Sequence, residues 1–201
     1  MSVGSMPWQT SLHSHIQNLS HMLENLDETQ VEKALTRMRD CQGLIVFTGI
    51  GQNLIMASKV AATYNSLSLR AVSVDPVSSL HGSMSFVRPE DLLVPLSKSG
   101  ETPELLRFLD GVSKLADCDV LSIHAARGCP LERRSAYSVY LPLLGEADHL
   151  NLAPTASSGC FLAFLQALAV QLASMRGLTR ADFARTHPEG TLGRQAAMVL
   201  P

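Results

Sequence analysis

The chain has almost no charge bias, no cysteine pairs at metal-binding spacing, and no long uninterrupted apolar run. Its 16 Lys and Arg against 18 Asp and Glu leave a formal net charge of −2, so nothing pulls it toward nucleic acid or an anionic membrane surface. Cys41, Cys118, Cys129 and Cys160 lack CxxC spacing and any neighbouring histidine set that resembles a zinc site, so reduced, buried thiols and no metal are expected. The N-terminus, MSVGSMPWQTSL, has neither a basic start nor an apolar core; no secretory signal is read there, and a cytoplasmic location is expected. The most apolar segment, residues 160–175, is interrupted by Gln166 and Gln171 and is short for a bilayer span. It reads as a buried helix. No repeat, low-complexity tract or linker divides the 201 residues, so one domain with a sizeable core is expected.

What is present centres on residues 91–106, DLLVPLSKSGETPELL. Leu92, Leu93, Val94, Pro95 and Leu96 form a short apolar run bounded by polar residues, as in a buried strand. Residues 97–102, SKSGET, crowd hydroxyls around a glycine, and Pro103 stands where a first helical position tolerates proline. A strand that feeds such a loop into a helix aims unsatisfied N–H groups and the positive end of the helix dipole at one point, which suits a phosphate. An ordinary capped strand-to-helix turn uses the same residue types.

Taken in order, Leu12, Ile16, Leu19, Met22, Leu23 and Leu26, then Val31, Leu35 and Met38, recur at helical spacing. Residues 1–42 are therefore read as N-terminal helices and residues 43–201 as an α/β core with C-terminal helices. His13 and His15 fall on different faces of the first helix, which argues against a shared metal. Residues 44–48, LIVFT, are the first strand, and Gly49, Ile50 and Gly51 turn the chain into a helix over 53–65, whose Ala57, Ala61 and Ala62 allow close packing. Further strands are expected at 70–74, 92–96, 120–124 and 137–141, with Leu105, Leu109, Val112 and Leu115 on the helix after the third. Strands alternating with helices imply parallel pairing. The expected fold is a three-layer αβα sandwich with a five-stranded parallel sheet and functional loops at the strands' carboxyl ends. The 49–51 turn lacks the third glycine of a dinucleotide fingerprint, since Leu54 stands three after Gly51, and no Walker lysine follows.

With these motifs in place, residues 44–194 resemble a sugar isomerase (SIS) domain, and within that superfamily the arabinose-5-phosphate isomerases. The resemblance rests on GIG at 49–51, SKSGETPE at 97–104, GEADHLNLAPTASS at 145–158 and ARTHPEGTLGR at 184–194, in that order. Family members often continue into paired CBS domains, so the chain resembles the catalytic module alone. The resemblance implies a homotetramer with sites at subunit boundaries, a sugar-phosphate ligand and no cofactor. It further suggests sugar-nucleotide supply for a bacterial outer surface. Related domains fused to DNA-binding modules are disfavoured here, because residues 1–40 lack a basic recognition helix.

Moving a carbonyl between C1 and C2 needs a base that takes a proton from one carbon and returns it to the other through an enediolate, with polar groups that shuttle hydroxyl protons. By the resemblance, Ser97, Ser99, Gly100 and Thr102 form the phosphate loop, with Gly51, Gln52, His81 and Thr155 completing the substrate contacts. Glu146 is expected to be the proton-transferring base, Glu104 to share the acid–base work, and His187 to open the sugar ring or shuttle protons. Bland roles stand beside these: Glu104 as a carboxylate favouring a helix N-terminus, Glu146 as a loop carboxylate, and His81 as an interface histidine. Thr155, Ser157 and Ser158 are expected to cap the long helix. His124 and His149 are read as structural or surface residues.

Three departures bear on activity. Gln52 stands where the family has lysine, and an amide donates a hydrogen bond but carries no charge. Glu189 replaces a family glycine, which would matter if the backbone there were one that only glycine adopts. No acidic residue precedes His81 in SSLHGSM. A sugar-phosphate sensor without catalysis, or an isomerase of another sugar phosphate, is the alternative.

Overall fold

The computed structural model describes residues 7–198. Two helices, α1 (Trp8–Asn25) and α2 (Glu28–Arg39), precede β1 (Ile45–Gly49), α3 (Gln52–Ser66), β2 (Ala71–Val74) and the short α4 (Pro76–Ser79). After a 3-10 turn (Ser83–Phe86) come β3 (Leu92–Ser97), α5 (Pro103–Val112), β4 (Asp119–His124), α6 (Pro130–Arg133) and β5 (Tyr137–Tyr140). Three helices follow the sheet: α7 (Ala156–Met175), α8 (Arg180–Thr186) and α9 (Gly190–Ala197).

The five strands form one sheet in the order β2-β1-β3-β4-β5, with every neighbouring pair parallel. All residues of β1 and β3 are buried, because parallel strands covered on both faces must be apolar throughout. One face packs Phe47, Tyr64, Leu121, Phe161 and Leu165 beneath α2, α3 and α7. The opposite face packs Val46, Leu93, Leu105 and Phe108 beneath α5. Each such fully buried side chain contributes roughly 1.5–3 kcal/mol relative to exposure. Tyr64 joins its layers: its ring meets Phe47 edge-on at 4.9 Å, and its hydroxyl donates to the Leu165 carbonyl at 3.3 Å.

Local chemistry sets the helix ends. The Asp27 carboxylate accepts from the N–H groups of Thr29 and Gln30, and Arg37 and Arg39 occupy the last turn of α2, complementing its dipole. Pro103 opens α5, as its fixed φ allows. The apolar segment read as a buried helix is the body of α7, ten of whose residues are buried. Two details differ from the sequence reading. Leu115 is exposed because α5 ends at Val112, and Ala62 faces solvent while Ala57 and Ala61 are buried. The segment before the 3-10 turn also holds a helical turn, α4, because the Asp75 side chain accepts from the Val77 N–H.

Candidate functional site

Strand order reverses between β1 and β3: from β1 the chain moves outward to β2, then returns to β3 on the other side and continues away. In open parallel sheets the crevice at the carboxyl ends flanking that reversal is where ligands bind. Three segments converge there, namely the 50–52 turn, the 97–102 loop and the 144–157 loop.

The first segment keeps the backbone close to the helix it enters. A Cβ on Gly49 would stand 2.7 Å from Cβ of Asn53, and Gly51 has φ +59 with open space around it. Gln52 is exposed at the first position of α3. In the second segment, Ser97 is only 1% exposed and builds the loop from below. Its Oγ accepts the Gly100 N–H at 3.0 Å and lies 3.2 Å from Thr102 Oγ1. Ser99 Oγ accepts the Glu101 N–H at 3.3 Å, and its exposed hydroxyl still has a proton to donate. Gly100 has φ +64, and a Cβ there would stand 2.2 Å from Cys129 Sγ; no other residue fits.

The third segment presents Glu146, whose side chain is closed to solvent. Oε1 accepts from Lys98 Nζ at 2.6 Å and from Ser157 Oγ at 2.5 Å. Oε2 accepts from the N–H groups of Thr155 at 2.9 Å and Ser157 at 3.1 Å, with Thr155 Oγ1 at 3.2 Å. Burial by itself would raise this carboxyl, but Lys98, Ser157 and the two N–H groups outweigh it and hold it at about 2. Glu146 therefore caps α7, a role expected of the hydroxyls of Thr155, Ser157 and Ser158. Thr155 Oγ1 instead accepts the Ala147 N–H at 2.8 Å. Beneath them, burial together with the Glu146 charge pushes the Cys160 thiol up to about 11, which keeps it protonated.

Two residues that the sequence did not single out complete this arrangement. Lys98 is the cation paired with Glu146, on the 97–102 loop itself; a lysine inside a Ser/Gly loop was the available signal. Asn18 of α1 is 2% exposed, and its Oδ1 accepts from the N–H groups of Leu144 at 3.0 Å and Gly145 at 3.4 Å. Ser11 Oγ adds a bond to the Ala147 carbonyl at 3.0 Å. The first helix thus fixes the loop that carries Glu146, and an asparagine on an amphipathic helix gave no warning of it. The Asp148 carboxylate tightens the next stretch by accepting from Leu150, Leu152 and Ala153.

The remaining expected residues are more dispersed. Glu104 is half-buried in the first turn of α5, directly after the 97–102 loop. His81 is exposed between α4 and the 3-10 turn. His187 is not at the crest of its own chain. Its Nε2 lies 2.9 Å from Ser66 Oγ, at the end of α3 remote from Gln52, and a 15-residue helix spans about 22 Å. The ring stacks on Phe183 with centroids 3.9 Å apart. Glu189 adopts φ −114, ψ 160, extended backbone open to any residue, so the lost glycine imposes no strain. Gly193 is where glycine matters, since a Cβ there would strike the His187 carbonyl oxygen.

With this geometry described, comparison with known proteins is informative. The SIS domain family model matches residues 38–171. The chain belongs to the SIS domain family. Its SIS relatives include the arabinose 5-phosphate isomerase KpsF of Escherichia coli O6:H1, 31% identical over 180 residues, which are 90% of this chain and 54% of that protein. An uncharacterised Chlamydia pneumoniae protein is 38% identical over 157 residues, covering 77% of this chain and 46% of its own length. The chain thus spans about half the length of the curated relatives it matches. Among solved SIS structures, an E. coli CFT073 protein in complex with arabinose 5-phosphate superposes with a TM-score of 0.86 at 30% identity, over 90% of this chain and 95% of that one. The five-stranded parallel α/β fold expected from the sequence is the fold of these relatives.

Proposed function

We propose that this chain is a sugar-phosphate isomerase that interconverts ribulose 5-phosphate and arabinose 5-phosphate. The observation that carries the reading is the Lys98–Glu146 ion pair, 2.6 Å long, set beside a Ser/Gly loop at the reversal point of the sheet. The relatives named arabinose 5-phosphate isomerase support it, as does the neighbour solved with arabinose 5-phosphate bound.

In this mechanism the 5-phosphate docks on Ser99, Thr102 and the N–H groups of the loop. Lys98, whose side chain is 45% exposed, swings toward the incoming oxygens. Glu146 then loses the one cation paired with it among the described residues, and its carboxyl rises from about 2 toward the range of a working base. It takes the proton from C2 of the aldose, electrons move to O1 as the enediolate forms, and Lys98 stabilises that oxygen. Glu104 passes the hydroxyl proton between O2 and O1, and Glu146 returns its own proton to C1. Gln52 hydrogen-bonds a sugar hydroxyl.

His187 enters from a second copy, because in its own chain it sits at the far end of α3. The exposed apolar stripe on α1, with Trp8 at 70%, Leu12 and Ile16 at 53% and Leu23 at 75% exposure, supports association into the homotetramer that this scheme needs. The second reading is a sugar-phosphate sensor. What favours it is Glu146 itself, saturated as a helix cap.

Proton NMR with arabinose 5-phosphate in deuterium oxide separates the two. Ribulose 5-phosphate carrying deuterium at the reacting carbon is expected, while saturable binding without product or exchange would establish the sensor.

A further inference from the structure

The cysteines are scattered in sequence, yet the fold brings one of them to a histidine and a carboxylate. His124 ends β4, and Cys129 and Glu132 lie on the turn and helix that follow. One potential ligand atom from each of the three lies within 4.8 Å of the others. The group stands apart from the Lys98–Glu146 pair, on the α5 side of the sheet, where Cys129 and Leu131 pack with Leu105 and Phe108.

Two further features mark this group as a ligand set rather than a chance cluster. His124 is fully buried, and its Nδ1 has no hydrogen-bond partner among the described residues. Burial holds this imidazole below its ordinary value; Glu132 and the Ala126 backbone pull the other way, but Ala126 falls outside hydrogen-bond geometry. Buried ring nitrogens are ordinarily satisfied, so one left without a partner needs an explanation. The other nitrogen is already fixed: Nε2 lies 2.7 Å from Ser138 Oγ. A hydrogen bond that orients the second ring nitrogen is what metal-ligating histidines show.

We propose that His124 Nδ1, Cys129 Sγ and a Glu132 carboxylate oxygen bind a divalent cation of the zinc class. One imidazole, one thiolate and one carboxylate form a mixed nitrogen, sulfur and oxygen set that suits a borderline ion better than magnesium or calcium. Binding releases the Cys129 thiol proton to solvent, and the thiolate and carboxylate together balance the ion's two charges. Tetrahedral bonding at zinc distances separates ligand atoms by about 3.5 Å, so the three close in by roughly 1 Å. Glu132, the most accessible of them, makes most of that movement, and water completes the fourth position.

The site lies directly behind the phosphate loop. Gly100 is in contact with Cys129, its carbonyl accepts the Leu131 N–H at 3.0 Å, and the Lys98 carbonyl accepts the Ala125 N–H at 3.0 Å. A bound ion would therefore stiffen the wall against which residues 98–100 are shaped.

The test is titration of the purified, chelator-treated full chain with Co2+, followed by absorption and by competition with Zn2+. One equivalent is expected to give a thiolate-to-cobalt charge-transfer band with strong visible bands of four-coordinate cobalt, and Zn2+ should displace it. Cys129→Ser should abolish the charge-transfer band, and Glu132→Gln should weaken binding by more than about tenfold. Absence of the band in the wild-type chain overturns the proposal. So does a band that survives Cys129→Ser, since it would come from another cysteine, and so do only the weak bands of cobalt held by surface histidines. None of these results depends on whether the chain turns over a sugar phosphate.

Discussion

The two ends of α3 differ sharply. At the Gln52 end, Glu146 is closed off from solvent and held by Lys98, Ser157 and Thr155, while α1 fixes its loop through Asn18. At the Ser66 end, His187 stands half-buried between two short helices that bury only Gly193, with Ser66 Oγ at one ring nitrogen and the Phe183 carbonyl and Thr186 Oγ1 at the other. The carboxylate end is preorganised by a network in which nearly every polar atom has a partner. The histidine end is held almost entirely by near neighbours in sequence, with Ser66 its one distant hydrogen-bond partner among the described residues. Under the proposed two-copy scheme, the carboxylate end, tied to distant segments of its chain, is the half that sets the geometry.

Substitutions at the rigid end should have the largest effects. Glu146→Gln is expected to lower kcat by roughly 10²–10⁴-fold, the usual size of a lost general base, while sugar-phosphate affinity by calorimetry stays within a few-fold. Near-normal turnover would remove Glu146 from the mechanism. Lys98→Met should follow, with a loss of about 10²–10³-fold in kcat, comparable to deleting one oxyanion donor. Restoration of turnover by Gln52→Lys in that background would show that the crest needs a cation but not at one fixed position.

Stability sharpens the same contrast. The Glu146 carboxyl is held near 2 in the folded chain, below its ordinary value. The stabilisation it gives is therefore complete above about pH 4.5 and is lost as pH falls toward 2, on the order of 2 kcal/mol once solvent access to Lys98 is allowed for. Denaturant titrations at pH 6 and pH 3 should show this loss in the wild type and a smaller one in Glu146→Gln. Asn18→Leu, which strands the Leu144 and Gly145 N–H groups, should cost about 1–3 kcal/mol and be visible as a lowered denaturation midpoint. His187→Ala, at a half-buried position that gives up the Ser66 bond, should lower stability least, by about 0.5–1.5 kcal/mol.

Much of the fold was legible because its strands are buried on both faces. LIVFT and LLVPL read as continuous apolar runs, and the structure places strands there within a residue. The strand-to-helix loop at 97–102 was legible because hydroxyls, glycine and a first-turn proline obey local rules. What escaped was tertiary. The Lys98–Glu146 pair joins residues 48 apart, and Asn18 reaches 126 residues along the chain; neither distance leaves a trace in spacing or periodicity. Sequence order placed His187 after the long helix but gave no sign that α7 returns the chain to the opposite end of the sheet. Glu189 shows the reverse error, in which a lost glycine suggested strain at a backbone position that is simply extended.

The most direct test of a site built from two copies is subunit mixing. Glu146→Gln and His187→Ala chains, each inactive alone, are unfolded together, refolded and assayed on arabinose 5-phosphate. Pairing across a two-fold interface predicts recovery to roughly a quarter of wild-type turnover, because that share of randomly formed sites combines an intact crest with an intact histidine. No recovery from mixed chains, or full activity of His187→Ala alone, would contradict the account.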